Sequence, residues 1–278
     1  MTSLRASAVL IVCSLSIVSI AGCGGSSGGD GGSDTATTVV TTVAPVETQL
    51  TVADANVLSR LLFNNHDKGG ADVSIDVPYG LQSSIQIDAV VDWKTHQGSA
   101  EVRVVGADGA LVDASTVYWR DLYDPQKGLV ATTLKGLSEA MAAQGRPGVT
   151  YVARPFAETS PLDRVLRYLD GLATVQAENP LLLRQDEKAK SLGNEMLTTD
   201  GGQRVKSVAL RYGKSRYWAE LESGLMLQAS APLAGLKSET VFRFSKHGVR
   251  EITLPAVDAV VDAADIPQIY QQLTERKR

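Results

Sequence analysis

Alternation of polar and apolar residues constrains this chain more than any other feature. Val73, Ile75 and Val77 alternate with Asp72, Ser74 and Asp76. Ile85, Ile87, Ala89, Val91 and Trp93 alternate with Ser84, Gln86, Asp88 and Asp92, and Ala100, Val102 and Val104 with Glu101 and Arg103. Successive side chains of a strand point to opposite faces, so these runs predict strands with one dry and one wet face. Tyr79-Gly80, His96-Gln97-Gly98 and Asp108-Gly109 are turn signals between them. A further strand ends at Val117-Tyr118-Trp119. Consecutive strands on short turns predict an antiparallel meander.

The flanking segments alter the period. Val57, Leu58, Leu61 and Leu62 share a helix face, with Thr51 or Asp54 as cap and Asp67-Lys68-Gly69-Gly70 as stop. Asp124-Pro125 opens a loop, and the Ala/Leu-rich stretch Leu129 to Ala143 predicts helix in part. Ser160-Pro161-Leu162-Asp163 starts another helix: Ser caps, Pro takes the first position and Asp faces the positive end of the dipole. Its stripe is Leu162, Val165, Leu166, Leu169 and Leu172, and Asn179-Pro180 breaks the pattern. Strands resume at Val205, Ala209 or Leu210, and Tyr212, reach Tyr217-Trp218, turn at Glu222-Ser223-Gly224 and continue through Leu225, Leu227 and Ala229. Thr240, Phe242 and Phe244 follow, then a turn at Lys246-His247-Gly248, then Ile252 and Leu254. Asp265 is the expected cap of a last helix with Ile266, Ile269, Tyr270 and Leu273 on one side. The doublets Tyr118-Trp119 and Tyr217-Trp218 are one hint of two similar halves. Strands plus covering helices make the expected class α+β.

The N-terminus has its own logic. Arg5 is the sole charge before Cys23, and Ala6 to Ile20 is an apolar run too short for a comfortable span of about 20 residues. Ser19-Ile20-Ala21-Gly22-Cys23 reads as a lipobox: small residues thread past a signal peptidase, and the thiol takes a diacylglyceryl group as a thioether. An ordinary secretory leader with an incidental cysteine is the alternative. Gly24-Gly25-Ser26-Ser27-Gly28-Gly29 and the Thr-rich stretch after it suit a tether, spanning roughly 25–30 Å by coil statistics. The alternative there is an edge strand at Thr37 to Val43. The expected organisation is a leader over 1–22, a lipidated Cys23 and tether over 23–50, and a single domain over 51–278. Cys13 leaves with the leader, so the mature chain keeps one cysteine, forms no internal disulfide and has no thiol left for catalysis or metal.

Several chemistries find no footing. The net charge of −4 gives no basic footprint for nucleic acid and no polybasic membrane patch. His66, His96 and His247 have no second ligand at metal spacing. No G-x-S-x-G, S-x-x-K, P-loop or H-E-x-x-H occurs, and the Gly-rich run lacks the lysine of a phosphate cradle. The expectation is a non-enzyme with no catalytic residues, no metal and no cofactor.

The order of parts resembles the actinobacterial lipoproteins of the LppX/LprG type, whose fold relatives are the LolA/LolB lipoprotein carriers. The local matches are Tyr217-Trp218-Ala219-Glu220-Leu221-Glu222-Ser223-Gly224-Leu225-Met226-Leu227, Phe242-Arg243-Phe244-Ser245-Lys246-His247-Gly248-Val249 with Pro255 after it, and Asp124-Pro125 with Gly128-Leu129. The aliphatic Pro180-Leu181-Leu182-Leu183 and the polar run Arg184 to Lys190 depart from that pattern. The resemblance implies a curved antiparallel half-barrel with helices covering its concave side, and an apolar cavity for acyl chains. The expected lining is Val73, Ile75, Val77, Ile85, Ile87, Val91, Val102, Val104, Leu162, Leu166, Leu169, Leu227, Phe242 and Phe244. A plain filled core is the alternative reading of the same residues. The implied role is binding lipid or glycolipid for transport or presentation across the cell envelope. The implied partners are that ligand, the membrane through the anchor, and an envelope transporter, with the chain a monomer on the extracytoplasmic face. A structural or regulatory surface lipoprotein that binds a protein partner is the competing expectation.

Overall fold

The computed structural model describes residues 46–275, apart from 80–82, 125, 200 and 237. The alternating runs form long strands: β2 (Gly70–Tyr79), β3 (Ser83–Asp92), β4 (Gln97–Val105) and β5 (Leu111–Arg120). They pair antiparallel in chain order, with Ile75 opposite Ile87, Ile87 opposite Val102 and Ala100 opposite Val117. β6 (Leu129–Thr133) and β7 (Tyr151–Pro155) extend this meander. A second meander runs through β8 (Ala189–Thr198), β9 (Arg204–Tyr212), β10 (Ser215–Glu220), β11 (Met226–Ala231) and β12 (Thr240–Ser245). β12 then returns to β2, Phe242 opposite Ile75, and fuses the two meanders. A short β1 (Thr48–Gln49) pairs with β8, and β13 (Val260–Asp262) lies parallel to β7. The result is one α+β fold on a 13-stranded, mostly antiparallel sheet. Its end strands β1 and β13 do not pair with each other, so the sheet is not closed into a barrel.

Directly opposed residues share a face. One face can therefore be followed across the sheet: Leu210, Ala219, Ala229, Phe242, Ile75, Ile87, Val102, Val117, Trp119 and Val130 all belong to one buried cluster. The opposite face carries charge, including the cross-strand pairs Arg243–Asp76 and Arg103–Asp88 and the 2.8 Å contacts Lys246–Asp72 and Arg216–Glu239.

The helices cover the apolar face. α1 (Val52–Lys68) starts with a capping box between Thr51 and Asp54, and Gly69 ends it at φ 100°, a backbone state that a side chain resists. α3 (Pro161–Asp170) is capped by Ser160, with Pro161 in its first turn as the sequence predicts. α1, α3 and Leu183 of α4 (Pro180–Gln185) bury their apolar sides in the main cluster. α2 (Leu137–Ala143) and α5 (Pro267–Glu275) pack with Val152 and Val261 in a second, smaller cluster.

Four expectations change. Leu129–Thr133 is a strand, because Val130 completes the buried face beside Trp119, and the helix expected in part of Leu129 to Ala143 is confined to α2. Asn179 does not end a helix but caps α4, accepting from Leu181 N at 2.9 Å. Ile252 and Leu254 form no strand: β12 and β2 each already have two neighbours, so no edge is left beside β12, the strand that precedes them in the chain. The last helix begins at Pro267, and it is Asp262 that caps a preceding 3-10 turn by accepting from Ala264 N at 2.8 Å. The Tyr-Trp doublets are also out of phase. Trp119 is buried in the core while Trp218 lies on the wet face and donates to Glu195.

Candidate functional site

The expected cavity lining is brought together as one packed cluster. Val73, Ile75, Val77, Ile87, Val91, Val102, Leu166, Leu169, Phe242 and Phe244 are all buried in it, and Ile85 and Leu162 pack against it. Val104 is only half-buried and outside the cluster. Leu227 is outside it too. A register shift opposite Trp218 and Ala219 puts Met226 rather than Leu227 at the inward position. The recess between the helices and the sheet, lined by Leu58, Leu62, Leu183, Tyr212 and Tyr217 among others, holds about 30 Å³. The space over the sheet is occupied by side chains: Trp93 is fully buried and its indole N–H donates to Leu169 O at 3.1 Å, fixing the end of α3. Tyr168 stacks on Phe242 with ring centres 5.0 Å apart. Asn65 donates to Leu172 O at 2.8 Å, which ties the loop after α3 to α1.

Polar groups in this interior are structural in geometry. Asp163 has no exposed side-chain surface and accepts four hydrogen bonds: from Arg154 at 2.6 and 2.7 Å, from Ala157 N at 2.8 Å and from Ser160 Oγ at 2.9 Å. Asp170, also buried, lies 3.4 Å from His96 Nδ1, and among the described residues its oxygens accept no well-aligned hydrogen bond. Burial raises its carboxyl above the usual range, against the pull of His96. Burial likewise lowers the pKa of His247, whose Nε2 finds no partner. Among the described residues no three His, Cys, Asp or Glu side chains gather as metal ligands. Nor is any described helix long and apolar enough to cross a membrane. Cys23 and residues 1–45 lie outside the described residues, so the expected lipidation site and leader have no geometry to report.

No family model matches the chain, and no curated relative does. A chain in the complex structure of Pseudomonas aeruginosa MucA/MucB is similar at 16% identity and a TM-score of 0.26. The likeness covers 74% of this chain and spans 59% of that one. A likeness that loose carries no argument, so the LppX/LprG resemblance rests on the sequence motifs alone.

An apolar recess on the sheet's wet face was not foreseen. Tyr118, Leu129, Ala131, Ala153 and Val260 line it from the strands, and Leu254, Pro255 and Val257 line it from the irregular chain before β13. It holds about 310 Å³ and is partly open to solvent. Ala131 sits directly opposite Ala153, so the floor is low where the flanking side chains are large. The edge of the Tyr118 ring meets Tyr151 at 5.5 Å and props one wall. The sequence did hold a signal: small residues at paired positions of neighbouring strands. Their pairing is visible only once β6 and β7 are known to be neighbours.

Proposed function

We propose that the chain is a non-enzymatic lipoprotein, anchored through Cys23 on the extracytoplasmic face of the membrane, whose LolA-like domain over 51–278 acts by binding a protein partner on its surface. The observation that supports this over lipid carriage is the packing of the expected lining: Val73, Ile75, Ile87, Leu166, Leu169 and Phe242 are buried together in one cluster. Sites that enclose a drug-sized or lipid-sized ligand hold roughly 300–1,000 Å³, whereas the recess beside this cluster, between α1, α4 and the sheet, holds about 30 Å³. Trp93 and Phe242 are fully buried in this interior, and Tyr168 stacks on Phe242.

Two experiments test the reading. Native mass spectrometry of a form beginning at Ala44, which keeps β1 and is purified from its own host type, should show protein without co-purified lipid. Stoichiometric lipid that survives purification would return the carrier to first place. For the anchor, metabolic labelling with a fatty-acid analogue should mark the wild-type chain and leave Cys23→Ala unlabelled while its domain folds normally. Equal label on both would remove the lipobox from the account.

A further inference from the structure

We infer that the groove over Ala131 and Ala153 is the docking site of that partner, and that it takes an extended peptide segment with a pair of large apolar side chains followed by an acidic residue. The inference rests on the partner-binding reading and adds the place and the chemistry. Three observations carry it.

The first is contrast. Elsewhere the wet face carries cross-strand pairs of opposite charge, with Arg243 on Asp76 and Arg103 on Asp88. Here the same face turns apolar across β5, β6, β7 and β13, and the chain from Leu254 to Val257 forms a bank instead of a cover. Val257 is 92% exposed on that bank. An apolar recess with an apolar rim loses free energy to water until something apolar fills it.

The second is shape. The groove is partly open to solvent. An acyl chain lying there would keep its exposed flank wet. A peptide would not suffer so, since side chains two apart point into the groove while the backbone amides keep their water. The occupant that suits a half-open apolar groove is therefore a polypeptide.

The third is charge. Arg120 and Asp262 both line the groove, and both also line an adjoining recess with Lys127. The neighbours of Arg120 are engaged: Lys127 pairs with Asp124 at 3.5 Å, and Asp262 accepts from Ala264 N at 2.8 Å. Arg103, Arg167, Arg216 and Arg243 all have carboxylate partners. Among the described residues, the guanidinium of Arg120 has no ion pair or hydrogen bond. A free planar fork beside an apolar groove is the geometry that receives a carboxylate.

The test uses the whole chain and a panel of labelled synthetic octapeptides read by fluorescence polarisation. Each has two leucines spaced two apart, followed by aspartate, and each is matched by a copy with asparagine. Saturable binding is expected, about tenfold tighter for the aspartate peptide, the equivalent of roughly 1.4 kcal/mol. Arg120→Gln should erase that preference. Val257→Asp, at a position with almost no packing to lose, should weaken binding at least about tenfold, and Ala153→Leu, which fills the floor, should abolish it. Absence of saturable binding, or binding unchanged by both Val257→Asp and Ala153→Leu, overturns the inference. So does dodecanoate that binds wild type and is lost in Ala153→Leu, because the groove would then hold an alkyl chain. If the intact envelope protein still engages a protein partner after both changes, the groove falls and the partner-binding reading stands. Lipid in the interior would sink that reading and leave the groove to the peptide panel.

Discussion

Asp163 and Asp170 sit seven positions apart in the same helix region, both without exposed side-chain surface, and their surroundings separate them. Asp163 is clamped by both nitrogens of the Arg154 fork and by Ala157 N and Ser160 Oγ. Removing one partner of such a pair leaves an uncompensated buried charge, so Asp163→Ala should cost roughly 3–5 kcal/mol in urea unfolding. Asp170 has only His96 on one side, with the Asp121 carboxyl opposing it, and closes a helix whose C-terminal end repels anions. Its folded pKa is raised above the unfolded value of 3.8, chiefly by burial. The stability linked to its proton is thus fully present below the unfolded pKa and is lost as pH rises through the folded one. Asp170→Asn should raise the urea midpoint at neutral pH, and the gain should shrink as pH falls towards 4. A gain that grows on acidification would contradict the burial account. Gly98 shows a tolerance of another kind: a Cβ there would stand 1.9 Å from the Trp119 ring. Gly98→Ala must displace a fully buried indole, and a loss of about 1–3 kcal/mol with shifted tryptophan fluorescence is expected.

At the level of elements, α3 decides whether the interior is core or container. Leu166 and Leu169 have no exposed surface and pack on the sheet. Leu166→Ala is therefore expected to cost roughly 2–5 kcal/mol in denaturant unfolding, the range of a cavity made in a filled core. A loss well under that range would point to an interior that was already hollow. The same element was legible in the sequence because its cap, its first-turn proline and its stripe agree. So were β2 to β4, where one face is buried along most of the strand and polarity must alternate, and the end of β5, where Val117 and Trp119 are buried. β8 was not legible. Its outer half is exposed on both sides, and a register shift between Ser191 and Gly193 breaks what alternation remains. Leu227 was misplaced for the same reason, since an extra residue in β11 moves the inward position to Met226. The alternation of Ile252 and Leu254 misled in the opposite direction: a strand needs a free edge as well as a pattern. The candidate groove needed more still, because its floor comes from β6 and β7 and its bank from a segment about a hundred residues later.

The whole molecule is two meanders sharing one seam, and β2 and β12 are its two lips. Within each meander the pairing is local, but Ile75 meets Phe242 across 167 positions of chain. Long-range pairing of this kind is slow, because loop closure must come before the contacts that reward it. Refolding from urea should show this in pulse-labelled hydrogen exchange, with amides on the β12 side of β2 protected after those paired with β3. Early protection on both sides would mean the seam forms first. There is a cost in time as well. A chain lengthening at about 5–20 residues per second needs on the order of 10–30 s to pass from β2 to β12. For that interval β2 offers Val73, Ile75 and Val77 beside a bare row of peptide groups, the kind of edge that recruits other chains. During its birth, the protein's most aggregation-prone strand is the one that ends up at the centre of the finished sheet.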